Sequence, residues 1–368
     1  MSKARQLADN GAATPNRNMV INGAMNVAQR STSVTGLGNS VGYQTVDRVK
    51  VNCDTDNVSA GRFTMTQTAD GPSGFANCLK LDCTTADTSI AAGEQLTLEY
   101  MIEGQDLQRM KKGTSDAEQV TISFYVKGNA SATYMLEVKD GDNDRLNHNQ
   151  FAVTTSWNRI SIPIAGDTTG ALDDDSAKSL ELRFWLHAGS NYTSGTYTAN
   201  TWAGQTHANR AVGISSFFDA TSRTFFLTGL QMEIGSSATP FEHKTFAQDL
   251  QGCQRYYYEL NSIENTYQFF GTGQNRSTTV SNFVVNAPVT MRAAPSLETT
   301  GTAANYTVLH NGSTFTACSA VPTIATDTDG VLVHMVASTV SSGLTAGDTA
   351  ILLANNTAGA YLRFDSEL

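Results

Sequence analysis

Two runs of carboxylates are the first residues in this 368-residue sequence whose spacing could do chemistry. Asp140-Gly-Asp142-Asn-Asp144 alternates acids along a turn, as the opening of an oxygen-ligand calcium loop does, and Asp173-Asp174-Asp175 is a second acidic cluster. The helix-loop form of a calcium site needs a bidentate glutamate where Phe151 stands, and its glycine falls elsewhere. A hairpin tip with solvated acids is therefore the simpler expectation. Glycoside hydrolysis needs one carboxylic acid and one carboxylate roughly 5 to 10 Å apart, and the two clusters could supply such a pair only if tertiary structure brought the loops together.

A third stretch has binding rather than catalytic chemistry. Residues 188–205, AGSNYTSGTYTANTWAGQ, interleave Tyr192, Tyr197 and Trp202 with serine, threonine, asparagine and glycine. Such rings can stack on a sugar face while amides and hydroxyls bond its hydroxyl groups. The competing expectation is packing against a neighbouring copy or the rest of an assembly, where tyrosine and tryptophan are equally favoured, and it carries more weight. Elsewhere the chemical signals are sparse. The sequence has no Gly-x-Ser-x-Gly elbow, no His-Glu-x-x-His and no Walker loop. Gly36-Leu-Gly38 and Gly271-Thr-Gly273 are isolated Gly-x-Gly pairs, and the six histidines never recur at i, i+2 or i+4. The expectation is a non-enzyme with no catalytic residue, cofactor or metal site. Asp47 between Arg30 and Arg48 is read as a structural ion pair.

Composition bounds the partners. Charged residues make up 16% of the chain, against about 25% in an average protein. The net charge of −10 argues against nucleic acid and against an anionic membrane surface, both of which need a lysine and arginine patch. No apolar run approaches the roughly 20 residues of a membrane-spanning helix, and the start lacks the apolar core of a secretory signal. Five cysteines without C-x-x-C spacing suit free buried thiols in a chain made in a reducing cytoplasm, with a Cys78–Cys83 bridge left open.

The elements that must position these residues are mainly strands. Period-two patterns predict strands at 19–29, 42–51, 62–68, 77–83, 94–102, 119–127, 133–139, 150–155, 157–163, 179–186, 211–217 and 224–234, separated by glycine, proline and aspartate turns. A further set is predicted at 267–271, 277–285, 296–299, 307–310, 330–340, 349–353 and 359–364. Between the sets, Thr239-Pro240 turns the chain and Thr245-Phe-Ala-Gln248 reads as a capping box opening a two-turn helix. That helix has Phe246, Leu250, Cys253 and Tyr257 on one face. The expected fold is all-β: a jelly-roll-like β-sandwich over residues 18–243, a connecting helix and strand over 244–260, and a second, smaller β-sandwich over 261–368. Residues 1–17 are expected to form a short helix, with Ala4, Leu7 and Ala8 as its apolar face, and a linker suited to plugging into a larger assembly.

TGLQMEIGSSATPFEHKTF (228–246) followed by CQRYYYEL (253–260) resembles a segment of tail-fibre and other appendage proteins of tailed bacteriophages, especially marine and cyanobacterial ones. NMVINGAMNVAQR (18–30), with Tyr43 and Asp47-Arg48, is similar to their opening, and APVTMRAAP (287–295) with the terminal LRFDSEL is similar to their last domain. The resemblance spans nearly the whole chain. It implies a virion structural protein, fibre-like and homotrimeric, that partners other virion proteins and meets a host surface glycan or protein. A capsid or tail decoration or connector protein is the alternative, and a glycan depolymerase a more distant one. The matching region in these proteins carries a similar Gly-Ser, aromatic and Trp pattern, which implies a framework role for residues 188–205. The strand order also resembles the carbohydrate-binding-module sandwiches, at the level of fold only.

Overall fold

The computed structural model describes residues 16–53, 60–325 and 330–368, and these fold almost entirely as strands. The expected helix with Ala4, Leu7 and Ala8 lies outside the described residues. The chain divides into two compact units, the larger ending at Asp249 and including Leu368, the smaller formed by Leu250–Glu367.

In the larger unit, one sheet has six strands in the order β1 (Ser33–Leu37), β4 (Arg62–Thr68), β5 (Cys78–Thr85), β13 (Thr224–Ile234), β7 (Val120–Gly128), β10 (Asn158–Ile164). The other has seven: β12 (Ala203–Gly204), β9 (Arg145–Val153), β8 (Ala132–Asp140), β11 (Lys178–Ala188), β6 (Gln95–Glu103), β3 (Lys50–Cys53), β2 (Ser40–Tyr43). All pairings are antiparallel. Alternation explains the closure, because successive side chains along a strand face opposite ways. Leu96, Leu98, Tyr100 and Ile102 of β6, Leu182, Phe184 and Leu186 of β11, and Ile122, Phe124 and Val126 of β7 all enter one core. Phe124 of one sheet meets Phe151 and Phe184 of the other edge-on, with ring centroids 5.1 and 5.0 Å apart. The result is the jelly-roll-like sandwich that the pattern predicts.

Several elements differ from the pattern. Residues 19–29 form no strand: Asn22 and Met25 adopt left-handed backbone, with φ of 59° and 58°. This stretch is instead a clasp on β13 and the chain that follows. Met19 N–H donates to Met232 O and Leu230 N–H to Gly23 O, both at 2.9 Å. The Asn18 Oδ1 accepts from the amides of Val20 and Met232, the Glu242 carboxylate accepts from the amides of Asn16 and Asn18, and Arg17 donates to Thr239 and to Pro240 O. Two of the stretches that carry the resemblance are thus each other's hydrogen-bonding partners.

Residues 211–217 also form no strand, because their amides are spread over three partners: Ala211 donates to Tyr192 O, Ser215 to Thr133 O and Phe217 to Leu186 O. Residues 42–51 divide into β2 and β3 around a turn. Cys78 and Cys83, offered as a bridge between strands folded back on each other, lie on the single strand β5, and all five cysteines are free and buried. Burial pushes the Cys78, Cys83 and Cys318 thiols up to about 11.

The smaller unit pairs a three-stranded sheet, β14 (Tyr257–Asn261), β22 (Tyr361–Asp365), β17 (Ser296–Thr299), with six strands closed into a barrel. The barrel order is β15 (Phe269–Asn275), β16 (Val280–Asn286), β20 (Val333–Val340), β19 (Thr314–Ile324), β18 (Tyr306–His310), β21 (Thr349–Ala354). Phe283, Tyr306, Val308, Val336 and Leu352 share its core. The expectation missed β19, whose TFTACSAVPTI has few large apolar residues and a register shift around Pro322, and so hides its period.

The short helix α1 (Ser190–Thr193) lies in the larger unit, and α2 (Phe246–Gln254) opens on the expected capping box. Thr245 N–H donates to Gln248 Oε1 (2.9 Å) and Gln248 N–H to Thr245 Oγ1 (3.3 Å). Its apolar stripe holds only in part, since Cys253 is buried while Phe246 is 58% exposed.

Two measurements check this architecture. Native protein should leave all five thiols unmodified by a thiol reagent, and denatured protein should titrate all five. An added Cβ at Gly23 would lie 2.0 Å from Leu230 O, so Gly23→Ala should cost about 1–3 kcal/mol and lower the denaturant midpoint without changing the secondary-structure signal.

Candidate saccharide-facing site

The outward face of the seven-stranded sheet is charged rather than apolar. One row crosses five strands through directly paired residues: Lys50, Glu99, Arg183, Glu137, His148. Charge alternates along it from Lys50 to Glu137, which is the favourable order for residues placed opposite one another. Glu137 has no exposed side-chain surface and is gripped by Arg210, whose Nε and Nη2 donate to its two oxygens at 2.8 and 2.5 Å. His148 Nε2 lies 3.4 Å and Arg183 Nε 4.0 Å from the same carboxylate. Burial pushes the Glu137 carboxyl up, but the bonds and charge of Arg210 outweigh it, with His148 and Arg183 adding to them, and hold the group down at about 2. Glu181 is also held below the ordinary range, because Arg183 and Lys178 overcome its burial.

Residues 189–217 cross this face. Asn191 N–H donates to Ala92 O, Asn200 N–H to His148 O and Gln205 N–H to Asp144 O. One glycine lets the segment come so close, and a second lets it fold on itself. A Cβ on Gly189 would meet Ala91 O at 2.0 Å, and one on Gly195 would meet Asn209 Oδ1 at 2.0 Å. The paired Arg210 also builds a stack: its Cζ lies 4.9 Å from the centre of the Trp185 ring, and the Trp185 ring lies 5.0 Å from that of Tyr192. Glu137, Arg210, Trp185 and Tyr192 thus form one column from the sheet outwards. Tyr192, half-buried, ends it at an open cleft of about 610 Å3 lined by Ser190, Asn191, Tyr192, Ser194, His207 and Ala208. A smaller hollow of about 110 Å3, rich in threonine, lies beside His148.

The three aromatic residues singled out in the sequence therefore separate. Tyr197 turns inward, its hydroxyl accepting from Gln150 N–H at 3.1 Å, and Trp202 donates from Nε1 to Ala165 O at 2.7 Å while packing on the main core. Tyr192 alone lines the 610 Å3 cleft. Sequence reasoning missed His207, Arg210 and Glu137. For Glu137 a signal existed, since an acid between Leu136 and Val138 in an alternating strand must face outwards. For His207 there was none.

The acidic runs do meet: Asp142 Oδ2 accepts from Asp173 N–H at 3.0 Å. Asp140, at the head of the first run, holds a buried ammonium. Lys112 Nζ contacts Asp140 at 2.5 Å and Asp167 at 3.2 Å and donates to Thr169 O and Gly170 O, each at 2.9 Å. A lysine thus fills the place of the cation that the Asp140–Asp144 spacing suggests. Among the described residues no group of three or more His, Cys, Asp or Glu side chains is arranged to hold a metal. Asp47 accepts from Gln29 N–H at 2.9 Å and from the Gln29 side chain, and Arg48 donates to Met101 O at 2.8 Å.

A file of serine, histidine and carboxylate also exists, with Ser216 Oγ 2.8 Å from His187 Nδ1 and Glu94 Oε2 3.0 Å from His187 Nε2. The ring nitrogens are used in the reverse of the hydrolase arrangement. His187 is fully buried against Phe218, and Ser216 Oγ accepts from Phe218 N–H, so the file fastens a turn.

The chain matches no family model and no curated protein sequence. Among solved structures, it is similar to the enzymatically active domain of bacteriophage CBA120 tailspike protein 4 (12% identity, TM-score 0.31), covering 60% of this chain and 22% of that one. It is also similar to the family 11 carbohydrate-binding module of Clostridium thermocellum, solved with a mixed-linked tetrasaccharide (13% identity, TM-score 0.27), covering 58% of this chain and 99% of that module. A family 61 module solved with a galactotriose is a further likeness (10% identity, TM-score 0.29), covering 60% and 100%.

The charged row has a pH signature. Carboxyls held below their ordinary values stabilise the fold above the unfolded pKa and lose that contribution as pH falls through the folded one. For Glu137 the window runs from 4.5 down to about 2, and Glu181 and Asp167 act in the same direction. Asp47 and Asp249, raised by burial, oppose them in part. The melting temperature of the larger unit should fall by about 5 °C or more between pH 5 and pH 3. Glu137→Gln should melt lower at pH 7 and lose much of that slope, as calorimetry would report.

Proposed function

We propose that this protein is a non-catalytic structural part of a tailed-phage virion, a tail fibre or similar appendage, whose larger unit contacts the host cell surface. The observation that carries the reading is the open cleft at Tyr192: an aromatic ring backed by a rigid column, rimmed by hydroxyls, an amide and an imidazole. Its chemistry suits recognition of a surface molecule without transforming it. The motif resemblance supports the virion setting, with assembly in the host cytoplasm.

One observation favours the second reading, a decoration or connector role, at least for the smaller unit. Ile263, Tyr267, Phe269, Val284, Phe315, Leu332 and Val333 are each at least 42% exposed. Phe315, Leu309, Ile351, Thr272 and Val284 are successive cross-strand neighbours around the barrel. Such a face suits burial against virion proteins or further copies of this chain. Cyclic trimerisation would supply the copies.

Purified protein should adsorb to host cells and block infection in competition. Absence of both at saturating protein would remove the host-contact role and leave the connector reading. Light scattering should give a mass of three times 39.4 kDa, and Phe315→Asp with Phe269→Asp should lower it without altering the larger unit's melting.

A further inference from the structure

We infer that the Tyr192 cleft binds a neutral saccharide, and that Arg210 and Glu137 are positioning residues for it. The inference rests on the host-contact reading and gives it a ligand class.

Four observations converge on that class. First, Tyr192 is fixed before any ligand arrives: its amide donates to Gly189 O at 3.0 Å, its carbonyl accepts from Ala211 N–H at 2.9 Å, and Trp185 supports its ring at 5.0 Å. A ring held this way offers its outer part to a pyranose at little cost in side-chain entropy. Second, the lining residues include no carboxylate, guanidinium or ammonium group: they are Ser190, Asn191, Tyr192, Ser194, His207 and Ala208. These are hydroxyl, amide and imidazole groups that match sugar hydroxyls, whereas a carboxylated or sulfated sugar calls for a guanidinium or ammonium partner.

Third, the nearest fixed cation in the column is already committed. Arg210 is 4% exposed, and its Nε and Nη2 both donate to Glu137, so it supports the site from beneath and neutralises no ligand charge. Fourth, the imidazole has a defined role. His207 stands edge-on to Tyr192, with ring centres 6.3 Å apart, and its Nε2 lies 3.2 Å from Gln205 Nε2. With the Gln205 amide donating to Nε2, the ring proton lies on Nδ1, which can donate to a sugar hydroxyl. The volume of about 610 Å3 falls within the roughly 300–1,000 Å3 usual for small-ligand sites.

The experiment is saturation-transfer NMR and calorimetry on the full chain with two probe panels. One holds neutral oligosaccharides of glucose, galactose and N-acetylglucosamine, and the other holds sialyl-lactose and glucuronate oligomers. Saturable binding of at least one neutral probe is expected, with no saturable binding of the acidic panel. Tyr192→Ala should weaken it about tenfold or more, and Tyr192→Phe should keep it, since the ring makes the contact. Asn191→Ala, at an exposed position, should weaken it several-fold with unchanged melting.

Arg210→Lys loses the paired fork and the guanidinium placed over the Trp185 ring. It should weaken neutral-sugar binding and change the near-ultraviolet circular dichroism of Trp185 and Tyr192 together, a coupling that a general loss of stability would not produce.

Binding of acidic probes alone, or neutral-probe binding unchanged in both Tyr192→Ala and Asn191→Ala, would overturn the inference. If no neutral probe binds and Tyr192→Ala protein still blocks adsorption to host cells, the saccharide assignment falls while the host-contact reading stands. If neutral probes bind through Tyr192 but the protein neither adsorbs nor blocks, the saccharide assignment stands and the host-contact reading falls.

Discussion

The paired bonds from Arg210 to Glu137 are the constraint on which the outer face of the larger unit depends. A carboxylate with no exposed surface is costly to desolvate, and it stays charged here because a planar guanidinium donates to both oxygens while Arg183 adds positive charge nearby. An apolar pair of the same volume could give equal stability. It could not set the plane of Arg210 against the Trp185 ring, nor through that ring the attitude of Tyr192. Loss of either partner would strand a charge under the segment that crosses the sheet, so the arrangement is held in one geometry.

The sheet beneath supplies the register for this. Antiparallel pairing sets Lys50, Glu99, Arg183, Glu137 and His148 in one line across five strands, while the residues before and after each of the first four face the core. Slipping one strand by a single residue would turn its charges inward and its leucines out. Core packing and surface chemistry are therefore two consequences of one alignment. The clasp of residues 16–24 on 230–242 serves the same end in the other sheet, tying β13 to a stretch more than 200 residues earlier by amide, carboxylate and guanidinium contacts. The stretches 18–30 and 228–246 are in this light pieces of framework, and the hydroxyl-rich segment 189–217 is the part that faces outwards.

The two units differ in what they expose. The larger shows an uncharged polar cleft above buried ion pairs, and the smaller shows aromatic and branched side chains on the outside of a closed barrel. The proposed role would use both kinds of surface, one to remain hydrated until it meets a ligand and one to be covered on assembly.

By itself the sequence determined the all-β class, most of the strands and the one capping box, because these rest on local alternation and on hydrogen bonds between residues three apart, as Thr245 and Gln248 illustrate. It also marked Tyr192, Tyr197 and Trp202 as a group. What it could not say is which of the three would stay at the surface. That was decided by partners far along the chain, Gln150 for Tyr197 and Ala165 for Trp202, which drew those polar tips inward. The clasp formed by residues 16–24 was hidden for the same reason, since the bonds that make it go to residues 230–242. So was the capture of Lys112 by Asp140 and Asp167, which lie in separate parts of the chain. Local pattern governs where backbone pairs form. The fate of a buried polar group depends on whichever distant atom completes its hydrogen bonds, and only the folded chain brings that atom within reach.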